Sequence, residues 1–138
     1  MIFAYDVREG RLNRLPPETD LTQADWIDLW SPQPDQEERV RALGVDVPTF
    51  ADMEEIEISN RLYRENGIDY MTVVLPGLST TKNPTVGPVT FILSAERLVT
   101  VRHHAPRPFE TFPDRAQRSA AGCATADRLF LGLVEEIV

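Results

Sequence analysis

Three pairs of short strand-like segments, each pair joined by a turn, constrain the fold of this 138-residue chain most strongly. The paired segments are residues 2–7 and 11–15, residues 61–65 and 70–75, and residues 89–93 and 98–101. Alternating segments around a short turn such as Asn66-Gly67 predict antiparallel β-hairpins. Residues 25–30 alternate in the same way. We therefore predict about seven strands in a central, mostly antiparallel sheet.

Helix-start signals occur between and after these strands. Asp35 with Glu38, and Thr49 with Asp52, have the spacing of capping boxes, and Gly44 is placed to end the first helix. The predicted helices run through about residues 35–43, 49–56, 109–118 and 125–138. These elements indicate an α+β fold of mixed α/β layers, with helices packed on the faces of the sheet. Residues 1–138 are predicted to form a single domain.

The C-terminal segment reads as a helix that is cut short. Thr125 is a plausible N-cap, and no Gly, Asn or Pro closes the helix after it. Its apolar residues are Leu129, Phe130, Leu131, Leu133, Val134, Ile137 and Val138. A helix that is apolar over most of its circumference is normally buried. We therefore expect its apolar surface to pack against helices that this chain lacks, and the chain to be a fragment of a longer protein.

Charge and composition argue against several classes of function. Residues 1–60 carry 14 acidic and 5 basic side chains, a net charge of −9, whereas residues 61–138 have a net charge of +1. Nucleic-acid binders concentrate Lys and Arg on one face, so no nucleic-acid partner is expected. The single cysteine, Cys123, excludes an internal disulfide and a cysteine-rich zinc site. The sequence contains no apolar run long enough to cross a bilayer.

Sequence motifs of common active sites are absent, and no catalytic residue is predicted. The chain has no G-x-S-x-G, H-E-x-x-H, Walker or G-x-G-x-x-G motif. His103 and His104 are adjacent, so on a strand they would point to opposite faces and could not easily share a metal. Cys123 has no neighbouring base that would activate it. A structural role is the simplest interpretation of all three residues.

One weak metal-site candidate and one unusual aspartate remain. Glu54 and Glu57 lie three residues apart on the second predicted helix, so their carboxylates could share a hard cation. The alternative is a solvated acidic helix face. Asp28 lies in an apolar strand between Trp26 and Trp30. It could pair with an arginine at the sheet edge, but alternation favours a position facing solvent. The two tryptophans on its face predict partial cover by a helix.

The order of these segments resembles the N-terminal cytoplasmic domain of the CorA family of divalent-cation transporters, which includes ZntB-like zinc transporters. The segments that carry the resemblance are residues 26–29, 43–45 with 48–49, 58–61, 70–75, 88–93, 98–102 and 126–130. The resemblance implies a non-enzymatic domain on the cytoplasmic face of the membrane, within a homopentamer that reaches the membrane only through a missing C-terminal part. It also implies that Mg²⁺, Co²⁺, Ni²⁺ or Zn²⁺ is the transported or regulatory ion, and that intracellular magnesium favours the closed pore.

One loop departs from the pattern of some relatives. After the strand at residues 70–75, those relatives carry a carboxylate that helps to bind the regulatory cation. Here the loop reads Ser79-Thr80-Thr81-Lys82-Asn83, so that site is not carried over. Two other hypotheses stay open: a free-standing cytosolic interaction module, and a small-molecule enzyme built around Asp28, His103 or His104.

Overall fold

A computed structural model describes residues 1–55, 61–118, 122 and 124–138. The strands are β1 (Ile2–Arg8), β2 (Arg11–Arg14), β3 (Trp26–Trp30), β4 (Leu62–Glu65), β5 (Ile68–Leu78), β6 (Pro84–Leu93) and β7 (Leu98–Arg102). The helices are α1 (Pro34–Arg41), α2 (Phe50–Glu55), α3 (Arg107–Arg115) and α4 (Ala126–Ile137). Short 3-10 helices occupy Leu21–Gln23 and Ala116–Arg118. This confirms the α+β prediction.

The seven strands form one mixed sheet in the order β2-β1-β3-β7-β6-β5-β4. The three predicted hairpins are the antiparallel pairs β1–β2, β4–β5 and β6–β7. Two further antiparallel pairs, β1–β3 and β5–β6, extend the sheet. Among the strands that the structure describes, only β3 and β7 run parallel, with Asp28 opposite Thr100 and Trp30 opposite Arg102. The prediction of a mostly antiparallel sheet is confirmed, and the parallel pair joins its two halves.

Helices cover both faces of the sheet, and each face has its own apolar core. On one face, Val40 of α1 and Met53 of α2 pack with sheet residues such as Ile27 and Val99. On the other face, α3 and α4 cover Trp26 and the neighbouring strands. The alternation of side chains along each strand assigns successive residues to the two cores. The sheet therefore lies between two layers of helices, with one apolar core on each of its faces.

Two predicted helix starts differ in outcome. At α2 the main-chain N–H of Asp52 donates to Thr49 Oγ1 (3.1 Å), and that of Thr49 donates to Asp52 Oδ2 (3.3 Å). This reciprocal pair is the predicted capping box. At α1 the prediction of Asp35 as N-cap is wrong, because Gln33 is the N-cap and Gln36 supplies the returning side chain. Pro at the first helical position fixes the earlier start.

Strand β5 continues beyond the predicted end at residue 75, and β6 begins before the predicted start at residue 89. The long hairpin also meets the segment after β7, where Leu78 and Ala105 exchange main-chain hydrogen bonds of 2.9 and 3.0 Å. Gly77 allows this approach, since a Cβ there would lie 2.7 Å from the Ala105 backbone. Pro106 and Pro108 follow at once and cannot donate main-chain hydrogen bonds to a sheet, and Ala105 makes this one bridge before them.

Candidate functional site

The candidate metal residue Glu54 lies exposed on α2. Its proposed partner Glu57 falls outside the described residues. Asp52, two residues earlier, uses its carboxylate to cap the helix. Within residues 1–55, 61–118, 122 and 124–138, no group of three or more His, Cys, Asp or Glu side chains is arranged to hold a metal ion. The Glu54–Glu57 site thus stays a prediction.

A cavity of about 440 Å³ lies beside α2, and Glu54 is not among the residues that line it. Carboxylates of Asp46, Asp52 and Glu55 line it, together with the stacked rings of Tyr63 and Tyr70. Tyr70 is buried, and its hydroxyl accepts a hydrogen bond of 3.0 Å from the main-chain N–H of Asp46. Burial, followed by the neighbouring Tyr70 and Asp46, raises the pKa of the Tyr63 hydroxyl. The cavity therefore combines three acidic side chains with an aromatic wall formed by two stacked tyrosines.

The prediction that Asp28 faces solvent is wrong, since the residue is only 2% exposed. Its carboxylate accepts hydrogen bonds from Arg102 Nε (3.1 Å) and Nη2 (2.8 Å), and from the Thr100 hydroxyl (2.9 Å). Trp26 Nε1 donates to the same hydroxyl (3.1 Å). Alternation identified the face correctly, but α3 covers that face, as the two tryptophans predicted. The alternative expectation of an arginine partner is confirmed, although Arg102 comes from the middle of the sheet.

Sequence reasoning did not single out Arg102, whose buried guanidinium is the centre of this network. Its guanidinium lies between two rings, 4.4 Å from the centroid of Trp30 and 4.8 Å from that of Phe109. Its Nη1 also donates to the His104 carbonyl oxygen (3.0 Å). The available signal was a pair of opposite charges, Asp28 and Arg102, each isolated in an otherwise apolar strand. Buried charges of this kind are normally paired.

The two histidines have separate surroundings, as adjacent positions predict. His104 is buried, and its Nε2 donates to the Leu75 carbonyl oxygen (2.9 Å). His103 packs against the ring of Phe50 on α2, with a centroid distance of 4.7 Å. Burial lowers the pKa of the His103 imidazole, and the carboxylates of Glu37 and Glu54 offset part of that effect. The enzyme hypothesis was built around Asp28, His103 or His104, and the side chains of these three residues have different partners: Arg102, Phe50 and the Leu75 carbonyl oxygen. Cys123 lies outside the described residues.

The loop after β5 forms a compact hairpin connection. The Ser79 Oγ accepts hydrogen bonds from the main-chain N–H groups of Thr81 (3.3 Å) and Asn83 (3.2 Å). Lys82 adopts a positive φ of 62°, and its main-chain N–H donates to the Ser79 carbonyl. The loop offers hydroxyls and one ammonium group. It supplies no carboxylate for a cation.

The apolar surface of α4 is largely covered by this chain itself. Thr125 is the N-cap, as predicted, but its hydroxyl donates to the Asp127 carboxylate and caps no main-chain N–H. Leu129 and Leu133 are fully buried in the core under α3, so the expectation that the apolar face lacks its partners is wrong for them. Leu131 remains 47% exposed. No helix in the described part of the chain combines the length and apolarity needed to cross a membrane.

Comparison with known proteins identifies relatives along nearly the whole chain. The magnesium transport protein CorA of Pectobacterium atrosepticum is 30% identical over 146 aligned positions, which cover 98% of this chain and 44% of that protein. The chain thus spans less than half the length of this relative.

Two solved structures share the fold. The CorA magnesium transporter from Methanocaldococcus jannaschii superimposes with a TM-score of 0.66 at 14% identity, covering 99% of this chain and 44% of that chain. The cytoplasmic domain of ZntB from Vibrio parahaemolyticus gives a TM-score of 0.68 at 13% identity, covering 98% of this chain and 56% of that chain.

A family profile decides the assignment. The profile described as "CorA-like Mg2+ transporter protein" matches residues 22–138, which include every strand from β3 onward and all four helices. By this match the chain belongs to the CorA-like magnesium transporter family.

Proposed function

We propose that residues 1–138 form the N-terminal cytoplasmic domain of a longer CorA-like transporter for Mg²⁺ or another divalent cation. The observation that carries this proposal is the family match over residues 22–138, in a chain that spans 44% of its relative's length. The domain performs no catalysis of its own. It couples the intracellular cation concentration to the opening of the pore. Such coupling is a free energy that links cation binding at one site to the state of the other. The family match favours this role over a free-standing interaction module.

The same proposal places the domain at the cytoplasmic face of the cell membrane, in a homopentamer. A second apolar stripe on α4 supports an assembly role. Leu131 and Val138 are exposed and Val134 is half-buried, and these residues follow one another at helical spacing. Leu129 and Leu133 hold the opposite side of the helix in the core. Such a helix can bind the fold with one stripe and a neighbouring helix with the other.

Regulation by a cation is assigned to the acidic α1–α2 side of the domain, with Glu54 and Glu57 as the candidate ligands. Residues 34–55, from the start of α1 to the end of α2, carry seven acidic and two basic side chains, and this net charge of −5 attracts cations to this side. Magnesium keeps several of its waters and needs only one or two carboxylates from the protein. A cation that binds one arrangement of neighbouring domains more tightly shifts the population toward that arrangement.

The coding sequence downstream of residue 138 tests the transporter assignment. We expect the reading frame to continue into a long helix followed by two apolar segments, each of about 20 residues, the length that spans a bilayer. A stop codon within a few dozen codons, with no such segment before it, would exclude a role as a transporter domain and favour the interaction module.

The cation site is tested by limited proteolysis at millimolar Mg²⁺. We expect Mg²⁺ to slow cleavage of the native chain, and the variant Glu54→Gln/Glu57→Gln to lose most of that protection. The control variant Glu9→Gln/Glu18→Gln removes the same charge from two exposed positions that lie outside α1 and α2. Equal protection of both variants would refute binding at Glu54 and Glu57 while leaving the family assignment intact.

A further inference from the structure

A second cavity, of about 840 Å³, opens where the parallel strands β3 and β7 end. Trp30 and Arg102, the last residues of these strands, lie on its floor, and Phe3 and Phe109 contribute aromatic walls. Ligands of open α/β sheets bind beyond the carboxyl ends of parallel strands, where the chain crosses between elements. The volume also lies within the range of about 300–1,000 Å³ that holds small molecules. Its position and size are those of a ligand site.

The floor of this cavity is held rigidly. Arg102 is 5% exposed, stacks between two rings and is fixed to Asp28 through Nε and Nη2. The other carboxylate oxygen of Asp28, Oδ1, accepts a hydrogen bond from the Thr100 hydroxyl. A guanidinium group has five N–H donors, and among the described residues the bonds from Nε, Nη1 and Nη2 leave two of them without an acceptor. The floor therefore offers hydrogen-bond donors and no open acceptor for a cation.

Two cationic side chains stand at the rim. Arg14, from β2, stacks over the ring of Phe3 at 4.5 Å, and Lys82 comes from the β5–β6 loop. Among the residues that the structure describes, neither makes an ion pair with a carboxylate. Glu110 and Asp114 of α3 line the opposite side, where both are exposed to solvent. Solvent weakens their repulsion, whereas the donors of the buried Arg102 act in a lower dielectric.

We propose that this cavity binds a small aromatic anion. The ring of the ligand packs on the half-buried rings of Trp30 and Phe3, and its anionic group lies toward Arg14 and Lys82, within reach of the free N–H groups of Arg102. Stacked, pre-positioned rings and fixed donors reduce the ordering cost of binding. This assignment is independent of the transporter role, because it uses a different face of the domain from Glu54.

The two tryptophans provide a direct readout in a ¹H–¹⁵N correlation spectrum of the whole chain. The spectrum contains two indole N–H signals, one from Trp30 at the cavity and one from Trp26, which is fully buried and bonded to Thr100. A Trp30→Phe variant assigns them. We expect sodium 1-naphthylacetate to shift the Trp30 signal in a saturable way and to leave the Trp26 signal in place. The matched cationic probe, 1-naphthylmethylammonium, should bind at least about tenfold more weakly.

A pair of double variants tests the rim. Arg14→Ala/Lys82→Ala should weaken 1-naphthylacetate binding by about tenfold or more, since both contacts to the anion are lost. Arg11→Ala/Arg61→Ala removes the same charge at exposed positions outside the cavity and should leave the affinity within about twofold. No shift at millimolar naphthylacetate, equal binding of the cationic probe, or equal weakening in both double variants would each overturn the proposal.

Discussion

Replacing Asp28 with alanine would leave the guanidinium of Arg102 buried without its carboxylate. Arg102 is 5% exposed and Asp28 is 2% exposed, so water cannot take the place of the lost partner without opening the α3 side of the sheet. Removing one member of a buried ion pair typically costs about 3–5 kcal/mol. A domain of this size is stable by about 5–15 kcal/mol. Asp28→Ala should therefore remove a large part of the stability of the fold.

Urea denaturation followed by tryptophan fluorescence measures this loss, because Trp26 and Trp30 both belong to the network around Asp28. An exposed pair provides a matched comparison. Asp69 accepts from Arg64 with the same fork geometry, at 2.8 and 2.9 Å, but on the surface. Exposed ion pairs contribute little, so Asp69→Ala should lower stability far less than Asp28→Ala.

A double variant that removes both charges separates the cost of the orphaned charge from the cost of the lost contacts. Asp28→Leu/Arg102→Met removes both charges and fills similar volume, so it should be clearly more stable than Asp28→Ala. Two results would refute the reasoning: a loss for Asp28→Ala of less than about 1 kcal/mol, the level of a surface pair, or a double variant at least as unstable as the single one. Where Asp28→Ala fails to fold, Asp28→Asn supplies the single variant.

Three further perturbations test other parts of the fold. Gly77→Ala places a Cβ 2.7 Å from the Ala105 backbone, and it should lower stability by about 1–3 kcal/mol or more, measured by chemical denaturation. Leu133→Ala should cost about 2–5 kcal/mol in the same assay, since Leu133 is fully buried, whereas the half-exposed Leu131 should tolerate alanine far better; equal losses would contradict the burial pattern. Burial holds the pKa of folded His103 below its ordinary value of 6.5, so unfolding takes up a proton as pH falls through this range. Stability should therefore fall with acidification below about pH 6.5, and His103→Gln should flatten that slope. An unchanged slope in the variant would contradict the assignment to His103.

Local sequence signals predicted the elements whose partners lie nearby. The turn at Asn66-Gly67 joins β4 and β5, and both its residues have positive φ values, 53° and 77°. The Thr49–Asp52 capping box lies within four residues. At α1 the same kind of signal failed, because Asp35 and Gln33 both had a suitable residue three positions later. The path of the chain before the helix decides between two such signals, and the local sequence pattern carries no information about that path.

The pairing of β3 with β7 could not be predicted in this way. The residues that meet there, such as Asp28 and Thr100, are 72 positions apart, and each strand also had a closer antiparallel partner. The same limit explains α4. Its composition indicated a buried helix, but the pattern did not reveal whether α3 of the same chain or another helix covers Leu129. Alternation specifies which residues share a face, and tertiary contacts decide what lies on it.

Isolated charges in apolar strands carry more information than their local pattern suggests. Asp28 and Arg102 each interrupt an apolar segment, and a buried charge is tolerated only with a partner. Their opposite signs therefore favour adjacency of β3 and β7 over the alternatives, and the observed register places them diagonally on one face, two residues apart. The same contact fixes the floor of the larger cavity. A change in this pair should consequently alter ligand binding there as well as stability, whereas a change at Glu54 should affect neither.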